Sequence, residues 1–211
     1  MSNSSKEFAA AEYTAGQLNA MVKKIIQQVG EEGPTLLLQG KIKIEIIKEM
    51  ILKMIGTITT SPTTEKFVSK DKFVKNSKEV KFYDFFGSFQ EDFLSGNGKT
   101  EEPLGEQELR YGDLIKNSGD SPIIEELGGE AKAETTLSEM YDLLKKQANG
   151  TPGVLLTNGR ANIFYIRDKG GVLRTVRVNW RGDGWFVDAC SVGYPFDWFA
   201  GRRVFSAILE S

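Results

Sequence analysis

Arginine and aromatic side chains are interleaved through the last third of the chain. Rings on a β-sheet can stack against nucleic-acid bases while arginines contact the phosphates, so this pattern is typical of single-stranded nucleic-acid binding. Arg174, Arg177 and Arg181 would be the arginines involved, together with exposed aromatic residues. Nucleic-acid-binding domains are usually strongly basic, whereas this chain has a pI of about 5.5. Nucleic acid is therefore an alternative partner and not the leading one.

A short stretch beyond these arginines concentrates apolar rings in a segment expected to be a loop. It contains Tyr194, Phe196, Trp198 and Phe199. Loops seldom carry so much apolar area unless it is folded back onto the protein or contacts a partner. Two interpretations follow from the sequence: the loop closes over the open end of a sheet, or it binds another protein.

Catalysis is less favoured because the chain contains no histidine and a single cysteine. Ser-His-Asp and Cys-His sites require histidine, and so does a histidine-ligated metal site. No catalytic residue, metal ligand or cofactor is predicted. A carboxylate-based, metal-dependent enzyme is an alternative, but the spacing of the acidic residues selects no pair, and solvated positions are the better interpretation. The glutamates concerned are Glu101, Glu102, Glu106, Glu108, Glu125, Glu126, Glu130 and Glu134.

Charge is unevenly distributed along a chain whose net charge is −2. Residues 1–84 carry roughly +3, residues 85–150 roughly −8 and residues 151–211 roughly +3. The acidic middle either neutralises the basic ends within one fold or leaves a basic end to face an anionic partner.

No apolar stretch is long enough to span a bilayer, no secretory signal is evident, and the single Cys190 suits a reducing compartment. A cytoplasmic protein without membrane contact is expected.

Helical spacing dominates the first part of the chain. A helix is predicted from Thr14 to Val29, and a short one over residues 34–38. Residues 41–46 alternate charge and isoleucine like a strand, whereas residues 47–55 have helical spacing. A strand followed by a helix and one continuous helix are both consistent with this pattern. Residues 56–65 are rich in threonine, serine and proline, which indicates a linker.

The middle of the chain mixes both types of element. Spaced aromatic residues between positions 67 and 86 predict one or two strands, and residues 89–94 a helical turn that buries two phenylalanines. A second clear helix is predicted over residues 137–148. Thr136 and Glu139 form a capping box at its start, since each can accept a free backbone N–H of the first turn.

The last part alternates apolar and polar residues, which predicts a β-meander. Asn158-Gly159 is a hairpin signal, and Gly182-Asp183-Gly184 suits a tight turn. Trp180 and Trp185 flank that turn and should pair across two strands. The predicted strands cover residues 154–156, 162–167, 172–181, 185–192 and 203–207.

These patterns together predict an α+β protein, with a helical N-terminal part and a C-terminal antiparallel β-meander of four to five strands. Its parts would be a helix-rich segment 1–84, an acidic connecting segment 85–150 with the helix 137–148, and the meander 151–211. All three could form one compact domain.

Specific short motifs are spread over most of the chain. They are Thr14–Asn19, Ser121–Glu130, Asn162–Asp168, Gly171–Arg174, Trp180, Gly182–Trp185, Pro195, Trp198 and Gly201–Ser206. In these motifs the chain resembles a group of uncharacterised proteins from uncultured bacteria. The resemblance implies no activity and no site residues, because the group has no assigned function.

The leading functional hypothesis is a non-catalytic interaction module whose aromatic face contacts another protein. The alternatives are a single-stranded nucleic-acid-binding module and the carboxylate-based metal-dependent enzyme. No oligomeric state is indicated. The candidate binding residues are Tyr194, Phe196, Trp198, Phe199, Arg174, Arg177 and Arg181.

Overall fold

The chain divides into two compact units, Met1–Glu49 and Met50–Ser211, in a computed structural model that describes residues 15–40 and 50–208. The first unit contains helix α1 (Ala15–Val29) and helix α2 (Gly33–Leu38). Both helices were predicted from the sequence. Gly30 follows α1 with a φ of 82°, the left-handed conformation in which glycine commonly ends a helix.

Two sequence predictions for this region fall on residues outside the described ranges. They are the start of the first helix at Thr14 and the strand or helix over residues 41–49. Residues 52–55, for which helical spacing was noted, belong to a strand, so the helical prediction is wrong there. Residues 56–60, predicted to be a linker, continue the same strand.

The second unit is built on a large mixed β-sheet. The strands are β1 (Leu52–Thr60), β2 (Phe67–Val68), β3 (Phe82–Gly87), β4 (Thr100–Glu101), β5 (Gln107–Leu114), β6 (Glu134–Thr135), β7 (Asn162–Arg167), β8 (Leu173–Trp180), β9 (Trp185–Ser191) and β10 (Arg203–Ala207). Within the described residues, this sheet has eight strands. Seven follow the order β1-β5-β10-β7-β8-β9-β3, and β6 also pairs with β7; β2 and β4 pair separately.

This sheet corrects the predicted fold of a helical N-terminal part and an antiparallel meander of four to five strands. β7, β8 and β9 are antiparallel neighbours. β10, however, lies parallel to β7 and antiparallel to β5, and β3 lies parallel to β9. Parallel strands are joined by long connections. The parallel partners of β7 and β9, which are β10 and β3, therefore come from distant parts of the chain, and no local turn signals them.

The predicted strand over residues 154–156, with its hairpin turn at Asn158-Gly159, is not formed. The side chain of Asn162 holds this segment instead. Its Oδ1 accepts a hydrogen bond from the backbone N–H of Leu156 over 2.7 Å, and its Nδ2 donates to the Leu156 carbonyl over 3.1 Å. A buried amide side chain thus satisfies the backbone groups that a strand partner would have paired.

Short helices complete the second unit. They are α3 (Ser69–Lys72), α4 (Asp120–Leu127), α5 (Glu130–Ala133), α6 (Leu137–Lys146) and a π-helical turn, Gln90–Leu94. None of the described helices is both long enough and apolar enough to cross a membrane.

The start of α6 confirms the predicted capping box. Thr136 Oγ1 accepts a hydrogen bond from the backbone N–H of Glu139, and Glu139 Oε2 accepts one from the backbone N–H of Thr136 over 2.7 Å. Glu101 accepts from the N–H groups of Leu137 and Ser138, each over 2.9 Å. The free N–H groups of the first turn are thereby satisfied from two directions.

Apolar side chains pack on both faces of the sheet. We call the side covered by α6 and the π-helical turn the α6 face, and the side covered by α4 and α5 the α4 face. Buried side chains on the α6 face include Phe89, Phe93, Met140, Leu144, Phe164, Val176, Val178, Trp185 and Phe205. Buried side chains on the α4 face include Ile123, Leu127, Ile163, Tyr165, Trp198 and Val204.

Trp180 and Trp185 confirm the predicted cross-strand pair. They are register partners of β8 and β9, and their rings meet edge to face with centroids 5.4 Å apart. Trp185 is fully buried, and its Nε1 donates a hydrogen bond to the Gln147 carbonyl over 3.0 Å. The pair therefore fixes the β8–β9 hairpin against the end of α6.

Candidate binding surface

The segment between β9 and β10 crosses the α4 face of the sheet. β9 ends at Ser191, and β10 begins at Arg203, with β8 and β7 between the two strands. Trp198 and Ser118 exchange two backbone hydrogen bonds, of 3.0 and 2.8 Å, next to α4. The aromatic stretch at residues 194–199 therefore lies in a connection between two strands of one sheet, which we call the crossover.

Asp120 holds the crossover in place. It is the first residue of α4 and is 6% exposed. Its Oδ1 accepts hydrogen bonds from Trp198 Nε1 over 2.7 Å and from the Tyr165 hydroxyl over 3.0 Å. Burial raises the pKa of Asp120, and the hydrogen bonds from Trp198 and Tyr165 oppose that shift. One carboxyl group thus joins the crossover, α4 and β7.

A row of polar side chains lies on the α4 face near Asp120. Tyr165, Thr175 and Cys190 are register partners on β7, β8 and β9. Burial, with the charges of Asp120 and Asp188, raises the pKa of Cys190 to about 11. A thiol that stays protonated at neutral pH is a weak nucleophile. Among the described residues the buried Thr175 hydroxyl has no hydrogen-bond partner, and Cys190 Sγ donates to the Thr175 carbonyl over 3.9 Å.

The acidic residues in the middle of the chain are the candidates for metal coordination. Within residues 15–40 and 50–208, no group of three or more histidine, cysteine, aspartate or glutamate side chains could hold a metal ion. Two of the middle glutamates bind backbone N–H groups instead. Glu101 accepts from the first turn of α6, and Glu126 accepts from Ile51 and Leu52 at the start of β1.

A pocket of about 330 Å³ opens between the start of α4 and the crossover. It is lined by residues 119–122 and 192–197. Tyr194 is 58% exposed, and its ring meets that of Phe196 at 5.3 Å between centroids. Phe196 in turn meets the buried Trp198 at 4.7 Å. The three rings therefore contact one another in order, from the exposed Tyr194 to Trp198, which is bonded to Asp120. The exposed ring of Tyr194 thus packs on side chains that are held in place.

Arginine and aromatic side chains form a second, open region of the α4 face on β8, β9 and β3. We call it the arginine–aromatic surface; its members are Tyr83, Phe86, Arg177, Arg181 and Phe186. Tyr83 is 47% exposed and Phe86 56%. The Arg181 guanidinium lies 4.0 Å from the centroid of Phe186 and 5.8 Å from that of Tyr83. Phe86 meets Phe186 at 5.5 Å. Rings and guanidinium groups are thus already packed together.

Four of the seven predicted binding residues are accessible on the α4 side of the sheet. Tyr194 lies on the crossover beside the pocket. Phe199, also on the crossover, is 61% exposed. Arg177 and Arg181 point to the α4 face, as the alternation along β8 predicted. Arg177 is paired with Asp188 over 2.6 Å.

The other three predicted residues are placed differently. Trp198 is 2% exposed, and Phe196 is half-buried. Arg174 lies on the α6 face, where it forms ion pairs with Asp168 over 2.8 Å and Asp92 over 3.2 Å. The structure therefore brings Arg177 and Arg181 together but separates Arg174 from them.

Sequence reasoning did not single out Tyr83, Phe86 or Asp120. Tyr83 and Phe86 reach this surface because β3 pairs in parallel with β9, a contact between segments about 100 residues apart for which no local pattern exists. Asp120 is the first residue of α4, after the N-cap Gly119, and an acidic residue there indicates a helix start but no binding role.

The chain was also compared with known proteins. No family model, no curated protein and no solved structure matches it.

Proposed function

We propose that this protein is a non-catalytic interaction module that binds another protein through the α4 side of its sheet. The binding region comprises the arginine–aromatic surface and the exposed crossover rings Tyr194 and Phe199. The observation that carries the proposal is the accessibility of four large rings on this side, each about half exposed or more. Exposed apolar groups gathered beside charged ones are typical of sites for a partner.

The chemistry of these side chains suits a protein interface. Tyrosine, phenylalanine and arginine are enriched at the centres of interfaces, where rings supply contact area at a small entropic cost. Arg181 is already stacked on Phe186, so little freedom remains to be lost on binding. Among the described residues Arg181 has no ion-pair partner. An acidic segment of the partner would therefore complement this surface.

A second candidate is single-stranded nucleic acid. It is favoured by two pairs of stacked side chains, Arg181 on Phe186 and Arg202 on Phe199, because such pairs offer flat surfaces to bases and charge to phosphates. The net charge of −2 for the whole chain weighs against it. Its expected signature is an affinity that falls steeply as salt is added.

Capture from a cell lysate with immobilised protein tests the first proposal. We expect a defined partner to be retained by the wild-type chain and lost with Phe86→Ala and with Phe199→Ala. Ile115→Ala is the matched control, because Ile115 is 51% exposed and belongs to neither part of the proposed region. Circular dichroism of each variant verifies the fold. Equal retention by all the folded variants would contradict the proposal.

Nuclease treatment and a gel-shift assay separate the two candidates. A protein partner is retained after nuclease treatment, and photo-crosslinking from position 194 or 199 attaches it directly. A nucleic-acid partner disappears with nuclease, and a single-stranded oligonucleotide is then shifted at low salt and released as salt rises. Unshifted oligonucleotide at low salt would eliminate the second candidate.

A further inference from the structure

Three arginines stand near the starts of β7 and β10, and the charges of Arg160 and Arg177 act on Arg202. Arg160 precedes β7, and Arg202 immediately precedes β10, which starts in register with β7. Arg177 on β8 is the register partner of Ile163, the second residue of β7. We call Arg160, Arg177 and Arg202 the arginine trio.

Local contacts position two of these side chains. Arg202 Nη1 donates a hydrogen bond to the Phe199 carbonyl over 3.0 Å, and its guanidinium lies 4.9 Å from the centroid of the Phe199 ring. Arg160 Nη1 donates to the Gly201 carbonyl over 3.5 Å. Its guanidinium packs against Gly201 so closely that a Cβ at position 201 would lie 2.1 Å from Nη1. The lack of a side chain at Gly201 therefore gives Arg160 its place.

The positive charge of the trio is incompletely balanced. Asp188 pairs with Arg177. Neither Arg160 nor Arg202 has an ion-pair partner within the part of the chain that the structure describes. Burial lowers the pKa of Arg202, and the charges of Arg177 and Arg160 lower it further. Like charges repel each other, and an anion bound between them would relieve the repulsion.

We infer that the arginine trio recognises a phosphate monoester carried by the partner protein, an inference that rests on the proposed function. A phosphate monoester brings a charge of about −1.5 to −2 at neutral pH, which matches the two unbalanced arginines. Guanidinium groups donate paired hydrogen bonds to phosphate oxygens. A carboxylate would balance one charge, and so would each phosphodiester of a nucleic acid. Phe199 supplies an exposed ring for the apolar groups beside the phosphate.

NMR titration of the arginine Nε–Hε signals, in a buffer without phosphate, tests the inference. The probes are inorganic phosphate, a glycine–serine peptide with one phosphoserine, the unphosphorylated peptide and a single-stranded oligonucleotide without terminal phosphates. We expect the first two to shift the Arg202 signal and the unphosphorylated peptide to leave it in place. Binding should weaken as the pH falls below about 6, where the monoester takes up a proton.

Arg160→Gln and Arg202→Gln should each weaken phosphopeptide binding about tenfold, because each removes a charge-assisted hydrogen bond. Lys132→Gln is the matched control: it removes one exposed positive charge from α5, away from the trio. A shift by free phosphate alone would overturn the assignment to a phosphorylated protein. So would an oligonucleotide whose binding depends on Arg160 and Arg202 while the phosphopeptide does not bind.

The outcomes also separate this inference from the proposed function. If no phosphorylated probe binds but the lysate partner is still lost with Phe86→Ala, the trio assignment is wrong and the interaction module stands. If neither phosphorylated probes nor a lysate partner bind to the folded protein, both are wrong.

Discussion

The indole Nε1 of Trp198 donates a hydrogen bond to Oδ1 of Asp120 over 2.7 Å, and both side chains are buried. This contact joins the middle of the crossover to the first turn of α4. Because the crossover also carries Tyr194 and Phe199, the contact determines where the proposed binding rings are presented.

Trp198→Phe keeps an aromatic ring in the same place and removes the N–H donor. We expect it to lower the free energy of unfolding by about 1–3 kcal/mol, the cost of a lost hydrogen bond to a buried acidic group. Urea denaturation followed by circular dichroism measures the change. Phe199→Leu is the control at the next, exposed position and should stay within about 0.5 kcal/mol of the wild type. An unchanged midpoint for Trp198→Phe would contradict the anchoring role of the bond.

Asp120→Asn tests the effect of the raised pKa of Asp120 on stability. Because burial raises this pKa above its usual value of 3.8, the folded state binds the proton more tightly than the unfolded state. The stabilisation that the proton on Asp120 gives to the folded state is fully present below pH 3.8. It is lost as the pH rises through the folded pKa of Asp120. The unfolding free energy of Asp120→Asn should therefore increase relative to the wild type from pH 4 upward. Urea titrations at several pH values would show a constant difference if Asp120 did not titrate in this way.

Tyr141→Phe tests a pKa shift of the opposite sign. The hydroxyl of Tyr141 donates to Glu79 Oε2 over 2.9 Å and lowers the pKa of Glu79, while burial raises the pKa of Tyr141 to about 12. A carboxylate with a lowered pKa stabilises the folded state above pH 4.5. This stabilisation is lost as the pH falls through the folded pKa of Glu79. In Tyr141→Phe, carboxyl ¹³C NMR should show the Glu79 pKa rising towards 4.5. The pKa of Asp84, which Lys75 lowers, is the internal control and should not move.

Thr136→Ala tests the capping box of α6. The change removes the Oγ1 acceptor of the Glu139 N–H and should cost about 1 kcal/mol of unfolding free energy. Thr136→Ser keeps the hydroxyl and should retain most of the stability. Thermal denaturation of the two variants compares them directly. Equal losses for alanine and serine would mean that the methyl group of Thr136, and not its hydrogen bond, is what matters.

Gly184→Ala tests the close approach of β3 to the β8–β9 turn. A Cβ at position 184 would lie 2.5 Å from the backbone nitrogen of Tyr83, so the backbone of β3 would have to shift. We expect a loss of about 1–3 kcal/mol, as for other overpacked sites. Gly193→Ala is the control, since nothing lies within 4 Å of a Cβ there. Chemical denaturation with equal midpoints for both variants would show that β3 and the turn are not packed as described.

Local signals in the sequence predicted the elements that local interactions determine. The capping residues Thr136 and Glu139 located α6, and the glycine turn at 182–184 located the hairpin between Trp180 and Trp185. The alternation along β8 placed Arg177 and Arg181 on one face. In each case the signal and the contact lie within a few residues of each other.

Pairing between distant strands could not be predicted in the same way. The partner of β9 on its outer side comes from β3, and residues 52–60 joined the sheet despite helical and linker-like composition. Arg174 was grouped with Arg177 and Arg181, yet it lies three residues before Arg177 on β8, so strand alternation places it on the opposite face, where it pairs with Asp92. The exposed rings of Tyr83 and Phe86 entered the binding surface through the same non-local pairing.

The place of β10 in the sheet has a consequence for how the protein is made. β10 lies between β5 and β7, yet it is the last described strand in the chain. During translation, β10 leaves the ribosome after both of its neighbours, β5 and β7, and also after β1, β8 and β9. Edges of β5 and β7 that will be paired later are then open to other chains. Nascent protein should therefore depend on chaperones until residue 207 has emerged, and the sheet should close only after that point.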